Sequence, residues 1–349
     1  MKQLHHFLVG LAAVVPILLS APTAHAQVKF GGFADAAYYA TDESGLDSSS
    51  GFKLGQFVLH MNSRLSDRLN AFAELTWTPK DDGYGTEVER VMLKYEYSDA
   101  LKPSAGRYHT PVSWWNVAFH HGAWLQTTVD RPIAVKFGSK LIPIHLVGAM
   151  LEGRVFPGGF SVSYTGALGN GRSSNIGRGG DTGDINNHTA SLVQLGLRHD
   201  ALYNLQVGGA IYLDRFASGT PDAEFDEQIL SAYLIYSSEK PEIIAEFFHV
   251  RHEERSSGMT ADNTSYYVQA AYRLPLLNEL FKPYARIENI DMDSADMALS
   301  GVVSDLDRFL VGVRVDVAPM VALKLEGRRF EEGGAERVNE IYLALNYVF

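Results

Sequence analysis

Residues 336–349 read ERVNEIYLALNYVF, and this stretch decides the fold. Backwards from Phe349, every second residue is apolar: Phe349, Tyr347, Leu345, Leu343 and Ile341. Between them stand Val348, Asn346, Ala344, Tyr342 and Glu340, a mixed set. A period of two belongs to a β-strand, whose successive side chains point to opposite faces. A bare hydrophobic edge strand invites aggregation and needs a partner. The stretch VKFGGFADAAYY, residues 28–39, is the expected partner, and pairing with it would close the sheet on itself.

The same period runs through most of the chain. In FVLHMNSRL, Phe57, Leu59, Met61 and Leu65 oppose Val58, His60, Asn62 and Arg64. In DRFLVGVRVDV, Phe309, Val311, Val313, Val315 and Val317 oppose Arg308, Gly312, Arg314 and Asp316. Such alternation makes one sheet face apolar and the other polar. The expected strands are 28–40, 52–65, 69–78, 86–98, 101–109, 144–155, 160–168, 188–199, 203–215, 225–237, 242–253, 263–274, 281–292, 305–317, 320–331 and 336–349. Short junctions alternate with longer polar ones at 41–51, 79–85, 110–143, 169–187, 216–224, 254–262, 293–304 and, briefly, 331–335. Short turns at one end and long loops at the other are the pattern of a transmembrane antiparallel β-barrel. The reading is therefore all-β, about sixteen strands; the long third loop is expected folded into the lumen, the alternative being that it packs on the rim or in a subunit interface. Eighteen strands result if 133–137 (IAVKF) and 142–149 form an extra pair. A soluble β-sandwich also alternates, but it would need one large dry core for all these strands.

The bulk numbers agree. Of 349 residues, 46% are hydrophobic and 20% charged, with 32 Gly, 17 Tyr and 18 Phe, a composition that suits strands. The net charge of -11 weighs against a nucleic-acid binder. With no cysteine, disulfides, thiolate metal sites and thiol nucleophiles are excluded. Residues 1–26 carry Lys2, an apolar run and APTAHA, which is the form of a secretory signal peptide cleaved after Ala26. The mature chain, 27–349, is one barrel domain, one charge unit more negative for the loss of Lys2. Its expected location is the outer membrane of a Gram-negative bacterium, in contact with outer-membrane lipid.

The candidate functional residues cluster in 110–143, TPVSWWNVAFHHGAWLQTTVDRPIAVKFGSKLIP. A loop this long and apolar is expected to pack rather than sit in water. Folded into a lumen it would form a pore constriction from Trp114, Trp115, His120, His121, Trp124, Asp130, Arg131, Lys136 and Lys140. Parity places Arg64, Glu74, Arg90, Lys94, Arg107, Arg198, Arg273, Arg286, Arg308, Arg314, Lys324 and Arg328 on the lumen side. Basic rows facing acidic loop residues would set a transverse field on passing solutes. The acidic balance favours cations, which Arg131, Lys136 and Lys140 at the waist would reverse. Adjacent His120 and His121 point apart in an extended loop, and no downstream Glu or His completes a metal spacing, so no metal or cofactor is assigned. They would instead make conductance pH-dependent near their ordinary pKa, about 6.5. DMDSAD (291–296) lacks the central Gly and closing Glu of a calcium loop, leaving at most a weak surface calcium site. GRGGDTGD (177–184) reads as a flexible external loop. There is no GxSxG elbow and no HExxH, so no catalytic residues are assigned and the protein is read as not an enzyme.

FGGFADAAYY (30–39), LSDRLNAFAELTW (65–77) and GRYHTPVSWWN (106–116) carry a resemblance to Gram-negative outer-membrane porins, nearest the phosphate-selective porin O and P group. The resemblance implies a sixteen-stranded, water-filled channel, usually a homotrimer, with its third loop inside. The terminal Phe349, with Tyr347 two residues before it, resembles the signal by which the barrel-assembly machinery recognises its clients. Phosphate selectivity does not transfer, because the arginine ladder and lysine cluster of that group have no residue-by-residue match here. The function expected is passive diffusion of small hydrophilic solutes or ions. The alternatives are a substrate-specific anion or sugar channel, or a non-conducting barrel acting as scaffold, enzyme or sheath for an electron carrier.

Overall fold

The structure is a computed structural model and describes residues 27–45, 49–136, 138–173, 176, 179–184, 187–218 and 223–349. The segment read as a signal peptide lies outside them. Sixteen strands follow in order: β1 (Gln27–Thr41), β2 (Ser50–Arg64), β3 (Leu69–Lys80), β4 (Gly83–Tyr95), β5 (Lys102–His109), β6 (His145–Val155), β7 (Phe160–Asn170), β8 (Thr189–His199), β9 (Leu205–Ala217), β10 (Glu224–Tyr236), β11 (Glu242–Glu254), β12 (Thr260–Ala271), β13 (Phe281–Asp291), β14 (Leu306–Ala318), β15 (Val321–Glu332) and β16 (Val338–Val348). Each pairs antiparallel with its sequence neighbours, and β1 pairs with β16 to close the barrel. Closure leaves no sheet edge to be satisfied.

The two faces are inverted relative to a soluble protein. Phe309, Val311 and Leu343 are about half exposed, at 49%, 51% and 51%, while Arg308, Glu326 and Lys324 on the opposite face are buried at 7%, 0% and 0%. A sandwich would bury the first set and expose the second. Apolar surface costs roughly 25 cal/mol per Å² when left in water, so an outward apolar band around the whole ring fits a hydrocarbon surrounding. The buried face is not uniformly polar. Along β8–β12, Leu192, Tyr212, Phe216, Ile229, Phe248 and Tyr267 form a core with Val112, Trp115, Val135, Leu141 and Ile142 of the 110–144 connection.

The connections at one end of the barrel, 65–68, 96–101, 156–159, 200–204, 237–241, 272–280 and 319–320, are short. At the other end the 110–144 and 171–188 connections are long. The 79–85 stretch departs from its expected long loop. Pro79 pairs with Tyr84 and Lys80 with Gly83, leaving Asp81 and Asp82 as a tight turn with Gly83 at φ 142°. The extra strand pair is absent among the described residues. Ile133–Val135 is a single 3-10 turn after Pro132, and 145–149 belongs to β6. Of the Gly-rich stretch, Gly179 bridges Arg172 and the Asp181 carboxylate accepts from Arg107 at 2.8 Å, so this part is tied to the barrel rather than free.

The β1–β16 seam that closes the barrel is tightest at Gly32. Gly32 and Phe349 exchange both backbone hydrogen bonds, at 3.0 and 3.1 Å, and the Phe349 ring stacks on Phe57 at 5.5 Å. A Cβ on Gly32 would stand 2.1 Å from the Val58 carbonyl oxygen and 2.7 Å from the Phe349 ring, whereas one on Gly31 meets nothing nearer than 3.4 Å. Gly32→Val is therefore expected to block closure and Gly31→Ala to be tolerated. Heat-modifiable mobility on SDS gels checks this: the folded band should vanish for the first and persist for the second.

Candidate functional site

The 110–144 connection lies against the buried face of the barrel and is held there by charged side chains of β11, β13, β14 and β15. Its short helix α1 (Trp114–Ala118) starts at the N-cap Ser113. The Glu246 carboxylate of β11 accepts from the Ser113 hydroxyl (2.8 Å), the Trp115 N–H (2.8 Å), the Trp114 N–H (3.1 Å) and the Tyr267 hydroxyl (3.0 Å). A carboxylate at a helix N-terminus meets otherwise unpaired N–H groups. Further along, cations take the carbonyls. Lys324 of β15 donates to Ala123 (2.6 Å), Gln126 (2.8 Å) and Thr128 (2.8 Å). Arg314 of β14 donates to Trp124 (2.6 Å) and Gln126 (3.0 Å). Arg286 of β13 donates to the Thr128 hydroxyl (2.9 Å) and the Asp130 and Arg131 carbonyls (each 3.1 Å), and Arg308 to Arg131 (3.2 Å). The N–H groups of Val129 and Ile133 donate to Glu326 (2.9 Å) and Glu288 (2.5 Å).

The tryptophans pack. Trp115 is fully buried, edge-on to Phe119 and Tyr267 with Arg286 over its ring. Trp114 is edge-on to Phe119, and Trp124 lies under Arg314. The Lys140 carbonyl accepts from Arg172 at 2.8 Å. His120, His121, Asp130, Arg131 and Lys136 line a cavity of about 340 Å³ on the long-loop side, together with Asp35, Lys53 and Arg328. Of the strand residues chosen by parity, Arg64, Arg90 and Lys94 line a second cavity, about 690 Å³, on the short-turn side. Arg198 bonds Gln206, and Arg273 bonds Glu239 and Asp316, beside the short turns. Arg107 bonds Asp181 and the Val88 and Glu89 carbonyls. Arg328 reaches Glu326, Asp130 and Glu340. Glu74 receives Arg90 and His60. The three aspartates of DMDSAD do not converge: Asp296 accepts from His252 and Asn263, and Asp293 from the Asp262 and Ala295 N–H groups.

His120 and His121 depart from the expectation that they point apart. The chain turns at Phe119–Gly122 instead of running extended. Their rings stand 4.3 Å apart, and both Nε2 atoms face one carboxylate, Glu89 of β4, at 3.7 and 3.1 Å. His145 of β6 reaches the same carboxylate at 2.8 Å, and His109 of β5 stacks on His120 with ring centroids 3.3 Å apart. His109, His145 and Glu89 were missed by sequence reasoning. Glu89 is out of parity with Arg90 and turns inward only because the β3–β4 register slips there by one residue, a bulge that alternation does not show. The parity that places Arg107 on the buried face places His109 there too, but only cations and Glu74 were collected from it. Glu246, Glu288 and Glu326 were missed the same way.

Burial alone would raise the Asp130 carboxyl, but Lys136, Arg328, Arg308 and Arg131 outweigh it and hold it well below the usual carboxylate range. Burial pulls the Arg131 guanidinium down to about 10 against the attraction of Asp130 and Glu89. Burial, then the charges of His109, His121 and Arg131, hold His120 well below its ordinary value. Burial also lowers His121, with Glu89 opposing. A pH switch near neutrality, as expected from their ordinary pKa, is thereby moved to lower pH.

No protein-family model matches this chain, and no curated protein sequence matches it. Solved structures do. The anion-selective porin from Comamonas acidovorans superposes with TM-score 0.69 at 12% identity, over 93% of this chain and 100% of that one. OmpT, an outer membrane protein of Vibrio cholerae, in its trimer form, gives 0.61 at 12% identity over 93% and 100%. The outer membrane channel DcaP of Acinetobacter baumannii gives 0.61 at 10% identity over 94% and 99%. At these identities the likeness is one of fold.

Three of the four tryptophans lie in the segment and report its packing. Below about pH 6.5 a released segment takes up protons on His120 and His121 that the packed one does not, so packing weakens as pH falls. In chelator-treated protein, the denaturant midpoint of tryptophan emission is expected to be flat above about pH 7 and to fall between about pH 6.5 and 5. The double variant His120→Gln, His121→Gln should flatten that slope, and a wild-type midpoint independent of pH would refute the assignment.

Proposed function

We propose that this protein is an outer-membrane porin, a passive diffusion channel for small hydrophilic solutes and ions. The observation that carries the reading is the reach of the 110–144 connection. It meets Gln56 of β2 and Glu89 of β4 at one side and Glu246 of β11, Glu288 of β13 and Lys324 of β15 at the other. Contacts from one segment to strands on both sides of a closed ring support a place within it. On this reading the segment is the waist of the channel, with the two cavities as the vestibules above and below. The neighbours described as an anion-selective porin and an outer membrane channel support the class, and the apolar outer band supports the location. The OmpT trimer form supports a homotrimer. Export through an N-terminal signal peptide and recognition of the terminal strand by the assembly machinery complete the proposal. The nearness to the phosphate-selective group rests on sequence resemblance alone.

The selectivity follows from the waist and not from whole-chain charge. The cavity on the long-loop side carries Lys53, Arg131 and Lys136 against Asp35 and Asp130, with Arg328 answered by Glu326 and Glu340. This excess favours anions by a modest margin and reverses the cation preference expected from composition. The large basic row of β13–β15 adds little to it, because Arg286, Arg308, Arg314 and Lys324 are hydrogen-bonded to the segment and to neighbouring carboxylates.

Refolded protein in a planar bilayer under a salt gradient should give stepwise conductance and a reversal potential of anionic sign. A correctly folded but silent barrel overturns the channel reading, and a cationic sign overturns the selectivity. Lys324→Met leaves the Ala123 and Thr128 carbonyls without their donor, Gln126 keeping Arg314; bonds to a charged group contribute about 1.5–3 kcal/mol. Larger, noisier steps and protease cleavage within 110–144 are expected for that variant.

A further inference from the structure

We propose that Glu89, His109, His120 and His121 form a binding site for a divalent transition cation of zinc type in the barrel interior, between the two cavities. Three features of these residues point to a cation. The first is the donor set. One ligand atom from each of these four buried residues lies within 4.8 Å of the others. Imidazole and carboxylate are the ligands that suit zinc. With metal–ligand bonds of about 2.0–2.2 Å, tetrahedral donors stand about 3.3–3.5 Å apart. The Glu89 oxygens lie 3.1 Å from His121 Nε2 and 3.7 Å from His120 Nε2, which brackets that spacing.

The second is tautomer control. His120 Nδ1 lies 2.7 Å from Asn116 Oδ1, and the Asn116 amide nitrogen donates to the Thr110 and Ile144 carbonyls. That pair of carbonyls fixes which way the amide faces, so His120 Nδ1 is the donor and Nε2 carries the lone pair when the ring is neutral. His121 Nδ1 likewise lies 2.7 Å from the Gln56 side-chain amide, which also bonds the Thr78 hydroxyl, and its Nε2 faces Glu89. A hydrogen bond on one ring nitrogen that turns the other toward a shared centre is the arrangement that outer partners impose on metal-ligating histidines.

The third is His109. It is 4% exposed, and neither of its ring nitrogens has a hydrogen-bond partner among the described residues. Its Nε2 stands 3.4 Å from Glu74, whose carboxylate already receives Arg90 and His60. A buried imidazole stacked on a second one without a hydrogen bond is costly, and a cation at the shared centre removes the cost. His109 lines the cavity on the short-turn side and His120 and His121 the one on the long-loop side, so an ion can reach the site from solution. The proposal stands whether or not the channel reading does.

Isothermal titration of the chelator-stripped, folded barrel with zinc chloride is expected to show one ion per chain. His121→Gln and Glu89→Gln should each weaken binding by at least about tenfold. His199→Gln, at an exposed turn, should leave it unchanged. X-ray absorption of the zinc-loaded wild type should show a nitrogen/oxygen shell with imidazole scattering from at least two rings. This second measurement decides the matter if a variant fails to fold. No binding by the folded wild type, equal binding by His121→Gln, or a shell without imidazole overturns the proposal.

Discussion

Buried charge must be paired, and in this barrel that requirement is met between the sheet and its longest connection. Lys282 of β13, Arg314 of β14 and Lys324 of β15 stand directly opposite one another in register. Like charges in that arrangement repel, and each loses hydration. Lys282 is answered by Glu239 and Glu242, and Arg314 by Asp316. Lys324 is answered by three backbone carbonyls of the segment. The segment in turn is a stretch of largely irregular backbone that would leave its own polar groups unsatisfied if buried elsewhere. Each solves the other's problem, which is why the segment takes one path.

That path has consequences on the opposite side of the ring. Capping by Glu246 sets the direction of α1. The helix ends at Ala118 and the chain turns, which brings His120 and His121 over Glu89. Arg131 then ties the turn back by donating to the His120 carbonyl at 2.5 Å. The apolar residues of the segment complete the core on β8–β12. The buried face thus carries an ionic network on β13–β15, a hydrophobic core on β8–β12 and the histidine cluster against β4–β6.

The barrel itself was legible because its signal is local and repeated. Alternation, hairpin turns and the aromatic terminal strand each state the same architecture. Ends of strands were less legible: Pro79 and Gly83 look like loop residues, yet cross-strand pairing carries β3 and β4 to an Asp-Asp turn. Parity named the strand residues of the buried face, Arg314 and Lys324 among them, but not what they touch. Their partners are carbonyls of a segment some 190–200 positions away in sequence, with no side-chain signature.

The amino-acid sequence alone determined that this chain is a closed antiparallel barrel with an apolar outside, because strand period is a property of neighbouring residues. It also marked 110–143 as a segment too long and too apolar to stand in water. Only the tertiary structure decided which charges remain beside the cavities and which hold the segment. Only it brought His109 and Glu89 beside His120 and His121. Those meetings depend on the path the segment takes, and that path is set by pairing among buried charges that no local pattern encodes.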